Sequence, residues 1–92
     1  MKYEVITTKL FRKQYKRAIK RGYTPEEIWN VIDSLSNDET PNSQQRAHRL
    51  RGIFSGIFEL HIRPDLLLMY QYRTNPPLLK FFAIGTHAEL FE

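Results

Sequence analysis

Apolar and polar positions divide this chain of 92 residues into a helical half and a strand half. Near the start, YEVITT (3–8) is a short run with β-branched residues and predicts a strand. The spacing then changes. Phe11, Tyr15, Ala18 and Ile19 recur at i, i+4, i+7 and i+8, which puts them on one face of a helix. Gly22 is a natural stop for it. A second helix follows almost at once. Thr24 reads as an N-cap, Pro25 suits the first helical position, and Glu27 completes a capping box. Tyr23 and Ile28 are spaced to staple its entry, and Ile28, Val31, Ile32 and Leu35 form its apolar stripe. Trp29 lies off that stripe, so it is either a rim residue of the core or part of a partner site.

The polar stretch 36–46 predicts a loop. Strands follow. In 55–63, Phe58, Leu60 and Ile62 alternate with Glu59, His61 and Arg63. Pro64 and Asp65 form a turn, 66–73 is a second strand, and 78–85 is a third. Gly52 and Gly56 bracket a tight or bulged connection. Short turns between these strands imply antiparallel pairing. The expected fold is α+β: an N-terminal strand and a two-helix hairpin packed on one face of a mainly antiparallel sheet, ending in a short C-terminal tail. The other face, with Glu59, His61 and Arg63, is expected to be open to a partner.

Length allows one domain, 1–92, with one modest core. Charge narrows the partners. Lys and Arg number 14 against 10 Asp and Glu, a net +4. Residues 7–22 alone hold seven of these cations and no acid. Such a surplus favours polyanions: RNA, DNA, the ribosome or an acidic protein segment. The plainer reading is a solvated basic face. The absence of cysteine excludes disulfides and thiolate metal sites and suits a reducing compartment. No run reaches the roughly 20 apolar residues of a membrane span, and the first residues do not resemble a signal peptide. The chain is read as cytoplasmic.

Three histidines carry the candidate chemistry: His48, His61 and His87. His61 and Arg63 share the open strand face, Asp65 follows in the turn, and His87 lies just past the last strand. Imidazoles among cations suit RNA cleavage. One accepts the proton of a ribose 2′-hydroxyl; another, or a carboxylic acid, protonates the leaving 5′-oxygen. Cations hold the phosphate. No metal is required, because the 2′-hydroxyl is the nucleophile, and the histidine spacing matches no compact ligand motif. Each residue also has a plainer use. A lone histidine is more often a cap or surface residue, Asp65 can bond turn amides, and Phe91 can pack on the core rather than stack on a base.

The motifs AHRLRG, ELHIRPDLLLMYQY and IGTHAELF together resemble the YafQ branch of the RelE/ParE toxin superfamily, densely over 46–91. The resemblance implies a RelE-like fold and a type II toxin: a ribosome-dependent endoribonuclease that enters the A site, cuts mRNA and leaves a 2′,3′-cyclic phosphate. It implies as partners a cognate antitoxin, the ribosome with its rRNA, and mRNA. Operator DNA is reached only through the antitoxin. It implies no cofactor. Carried over by motif, His48, His61, Asp65 and His87 are the acid–base residues and Phe91 helps to hold the mRNA. His87 is the first choice for the acid, and Asp65 or His61 for the base.

Two positions depart from the branch. Ala83 stands where it has an arginine that steadies the phosphate, and Leu66 where it often has tryptophan. Arg51, Arg63, Arg73 or Lys80 is then expected to supply the cation. Two other readings stay open: a ParE-like toxin that inhibits gyrase, and a weakened module that binds the ribosome or RNA without cutting.

Overall fold

The computed structural model describes residues 2–50 and 56–91. Strand β1 (Glu4–Thr7) leads into helix α1 (Lys9–Lys20), and helix α2 (Pro25–Ser36) follows. A 3₁₀ turn (Ser43–Gln45) precedes β2 (His48–Arg49), β3 (Phe58–Arg63), β4 (Leu66–Arg73) and β5 (Leu78–Gly85), and helix α3 (His87–Phe91) comes last. The five strands form one sheet in the order β1-β5-β4-β3-β2. Among the described residues only β1, beside β5, pairs in parallel; the other pairs are antiparallel. The expected α+β architecture holds.

The helices begin where their caps demand. Thr8 Oγ1 accepts the N–H of Phe11 and itself donates to the carbonyl of Phe82, so the α1 cap is pinned to β5. Thr24 and Glu27 form the full capping box of α2. Gly22, at φ 102°, takes the left-handed turn that frees the chain from α1. The core lies between the helix pair and one sheet face. Phe11, Ala18, Ile28, Ile32 and Leu35 meet Leu60, Leu68, Tyr70, Leu79, Phe81 and Ile84. Trp29 belongs to the rim, donating to the Tyr15 hydroxyl at 3.1 Å. Gln14, buried in α1, accepts the N–H of Ile84 at 3.0 Å, where β5 has run past the end of β1. The β5 edge is therefore not left unpaired.

Two expectations need correction. First, the second sheet face is not open at β3. Glu59 and His61 are only 4% and 7% exposed, because His48 and Arg46 come back over them from outside the strand. Second, Arg63 does not share their face. A register shift between His61 and Arg63 breaks the alternation. Arg63 instead pairs with Glu27 of α2 and lies over the Tyr23 ring. The expected short C-terminal tail is there, and it is helical. The connection expected around Gly52, and Arg51 beside it, lie outside the described residues; Gly56 has a φ of 88°.

The Arg63 ion pair and the Thr24 backbone N–H hold the Glu27 carboxyl down to about 2, from 4.5. A depressed carboxyl stabilises the fold above its unfolded pKa and ceases to do so as pH falls through the folded one. Glu27→Gln keeps the cap but loses the charge. It is expected to cost about 1 kcal/mol at pH 6. That gap, followed by urea unfolding, should close progressively between pH 4.5 and about 2.

Candidate active site

One end of the sheet, where β3 turns into β4 and β5 runs into α3, gathers most of the titratable groups singled out above. Pro64 and Asp65 make the turn. Asp65 Oδ1 accepts the backbone N–H of His87 at 3.1 Å and lies 3.3 Å from His87 Nδ1. The backbone N–H, ahead of the imidazole, holds the Asp65 carboxyl below its usual range. Asp65 is thus a carboxylate at neutral pH. Its contact assigns the proton on Nδ1 and leaves Nε2 of His87 as the nitrogen outside that contact.

The start of α3 explains why His87 stays there. Thr86 and Glu89 form a capping box: Glu89 Oε1 accepts the N–H of Thr86 at 2.9 Å, and Thr86 Oγ1 accepts the N–H of Glu89 at 3.2 Å. Glu89 also reaches Arg17 at 3.1 Å and Arg21 at 3.0 Å, so the last turn of α1 braces α3. The Thr86 N–H is the main reason why the Glu89 carboxyl lies below its usual range. Gly85 makes room for this, since a Cβ there would stand 3.1 Å from Glu89 Oε1. Glu89→Ala is expected to loosen α3 alone. Losing the cap costs about 1 kcal/mol, read as roughly fivefold faster amide exchange at Leu90 while the core amides keep their rates.

His61 lies against this pair, its ring centroid 5.8 Å from that of His87. Its Nδ1 is 3.2 Å from the Pro64 carbonyl, a contact that assigns the Nδ1–H tautomer. Phe91 continues the row, 6.2 Å from His87 between centroids. His48 stands one step away, opposite Glu59 in the register. Its Nδ1 donates to the Arg46 carbonyl at 2.9 Å, and its Nε2 is 3.6 Å from Glu59. A cleft beside His61 is lined by Asn42, Gln44, Gln45, Arg46, Arg63 and Pro64. Among the described residues, no three His, Cys, Asp or Glu side chains are grouped to hold a metal ion. No helix among them is long and apolar enough to cross a membrane.

Of the expected cations that the structure describes, Arg73 and Lys80 lie away from the histidines, and Arg63, although it lines the cleft beside His61, is turned to another partner. Arg73 pairs with Leu78 at the far end of β4, about 20 Å along the strand from the turn. Lys80 packs over Phe82, 4.9 Å from its centroid. Arg63 is committed to Glu27. Arg51 lies outside the described residues. Leu66 and Ala83, the two departures, are buried. The cation that does reach the cluster was not expected. Arg46 closes the 3₁₀ turn and brings Nη2 to 3.3 and 3.4 Å from the two His61 nitrogens. No local pattern announces it, because Arg46 closes a turn at φ 48° and its side chain reaches a strand fifteen residues further on.

Comparisons with known proteins bear on the family and the fold. The model of a family described as the bacterial toxin of a type II toxin–antitoxin system, YafQ, matches residues 3–92. The mRNA interferase toxin YafQ of Escherichia coli (strain K12) is 32% identical over 82 residues, covering 88% of this chain and 87% of that protein. A metal-bound toxin from Helicobacter pylori superposes with a TM-score of 0.91 at 30% identity, over 97% of this chain and 99% of that one. The toxin in the E. coli DinJ-YafQ toxin-antitoxin complex gives 0.88 at 28% identity, over 100% of both.

Proposed function

The chain belongs to the YafQ family of bacterial type II toxins, and from that premise we propose that it is an mRNA interferase that cuts message in the ribosomal A site. The observation that carries the reading is the meeting of two imidazoles, His61 and His87, 5.8 Å apart between centroids, with a carboxylate fixed on the second. Acid–base cleavage of RNA needs two proton carriers on opposite sides of one phosphate.

In this reading the 2′-hydroxyl attacks the neighbouring phosphorus and gives its proton to Nε2 of His61. The bond from phosphorus to the 5′-oxygen breaks as protonated His87 donates from Nε2 to that oxygen. The products are a 2′,3′-cyclic phosphate and a 5′-hydroxyl, with one proton taken up and one released. Asp65, as a carboxylate, is poorly matched to a base's task near neutrality; it orients His87. Phe91 stacks on a base beside the scissile bond. His48 stands behind Arg46 and supports the cluster. The ribosome holds the message with its 2′-oxygen in line.

A cognate antitoxin is the expected partner, as in the DinJ-YafQ toxin-antitoxin complex. The cations of α1 suit an acidic segment that folds on binding. Operator DNA is contacted through the antitoxin, and the cytoplasm is the site of action.

The test is a map of mRNA 5′ ends in cells after brief induction. Sharp new ends in register with codons, lost when translation is blocked, are the expected result. Intact message with gyrase inhibited would overturn the reading in favour of a ParE-like toxin. Ribosome binding without new ends would do so in favour of a binding module.

A further inference from the structure

Arg46 touches two of the three histidines by two different routes. Its backbone carbonyl accepts from His48 Nδ1 at 2.9 Å, and its guanidinium lies 3.3 and 3.4 Å from the nitrogens of His61. The chain is built to hold it there. Asn42 and Gln45 cap the 3₁₀ turn reciprocally, and Arg46 ends it at φ 48° and ψ 46°. That left-handed conformation is costly for a residue with a Cβ, so the turn is not a slack loop.

Most of the other arginines are spent elsewhere. Arg63 is paired with Glu27, Arg17 and Arg21 with Glu89, and Arg49 lies over Phe58. Arg46 has no carboxylate partner among the described residues, and it is exposed. A guanidinium facing an imidazole at 3.3–3.4 Å makes only a long, weak contact. A phosphate offers it charge-assisted bonds at about 2.7–2.9 Å in a fork geometry that suits it.

We propose that Arg46 is the catalytic cation of this site: it leaves the His61 ring for the scissile phosphate when RNA binds. Two effects follow from one movement. The non-bridging oxygens gain a donor where negative charge grows in the transition state. Nε2 of His61, until then beneath the guanidinium, is released to accept the 2′-hydroxyl proton. The proposal rests on the ribonuclease reading given above.

Single-turnover cleavage of mRNA on programmed ribosomes tests it, with toxin in excess. Arg46→Ala is expected to slow cleavage about 10²–10³-fold, with ribosome affinity and antitoxin binding little changed. Arg46→Gly, which accepts the positive φ without strain, should lose as much, so the loss belongs to the guanidinium and not to the turn. Arg46→Lys should recover part of it. Arg49→Ala removes the same charge three residues away and should stay within about threefold of the parent, because its loss acts only through the screened general field. Cleavage by Arg46→Ala within threefold of the parent, with His87→Ala inactive, would overturn the proposal and leave the nuclease reading standing. So would an equal loss in Arg49→Ala, which would mean that only the general positive field matters. A parent that leaves ribosome-bound message uncut would overturn both.

Discussion

His87→Ala is expected to lower single-turnover cleavage of ribosome-bound mRNA by about 10³-fold, the scale of a lost general acid. The loss should be one of chemistry and not of folding. The His87 side chain is more than half exposed, at 57%. Its backbone N–H, which binds Asp65, survives in alanine. The helix caps of α3 come from Thr86 and Glu89, and neither is touched. The thermal midpoint should therefore move by no more than a few degrees. A variant that cuts within tenfold of the parent would remove His87 as the acid. An oxygen substrate with a better leaving group supplies a finer check, because it should lose its dependence on His87 first.

Asp65→Asn is expected to cost about 10²–10³-fold, nearly as much, although aspartate donates no proton in the proposed reaction. Asparagine can still accept the His87 backbone N–H, so α3 keeps its start. It cannot provide the negative charge that holds the proton on Nδ1. That favours the wrong tautomer of His87, a fault known to be severe where a carboxylate orients a catalytic imidazole. The pH dependence follows from the sign. The Asp65 carboxyl is held below its ordinary value of 3.8. Its orienting charge is therefore full at neutrality and is lost only as pH falls beneath the ordinary range. The parent's acid limb above about pH 5 should then be unaffected by Asp65, since ordinary aspartate is already ionised there. Equal rates for parent and Asp65→Asn at neutral pH would dismiss the orienting role.

The helical half was readable because several local signals agree there. Thr24, Pro25 and Glu27 mark one boundary, Gly22 another, and the apolar spacings match the buried faces that form. The strands were readable from alternation, and the turn at Pro64 and Asp65 from its residue types. What escaped was short or non-local. β2 has two residues, too few for any period to show. α3 has five, although Thr86 and Glu89 carry a capping-box spacing that was available. A bulge reversed the facing of Arg63, and nothing in an alternating pattern announces a bulge. The expectation of an open face failed for a related reason. Alternation says which side of β3 His61 points to, not that Arg46, fifteen residues earlier, will cover it. The histidines and Asp65 were legible as a set through resemblance. The cation beside them was not, because it comes from a turn read as a polar loop.

The brace between α1 and α3 changes how a genetic survey of the basic helix should be interpreted. Arg17 and Arg21 share one carboxylate, Glu89, which also caps the helix that begins with His87. A weakened Arg17 variant would look like a lost rRNA contact when it has only slackened a strut. Epistasis separates the two. Once Glu89 is gone, further loss at Arg17 or Arg21 should add little. Lys13 and Lys16 have no such tie, and their effects should multiply with any of the three. In such a survey Arg17, Arg21 and Glu89 form one unit of selection, and the helix holds two populations of positive charge: one facing the outside world, the other keeping the end that carries His87 in place.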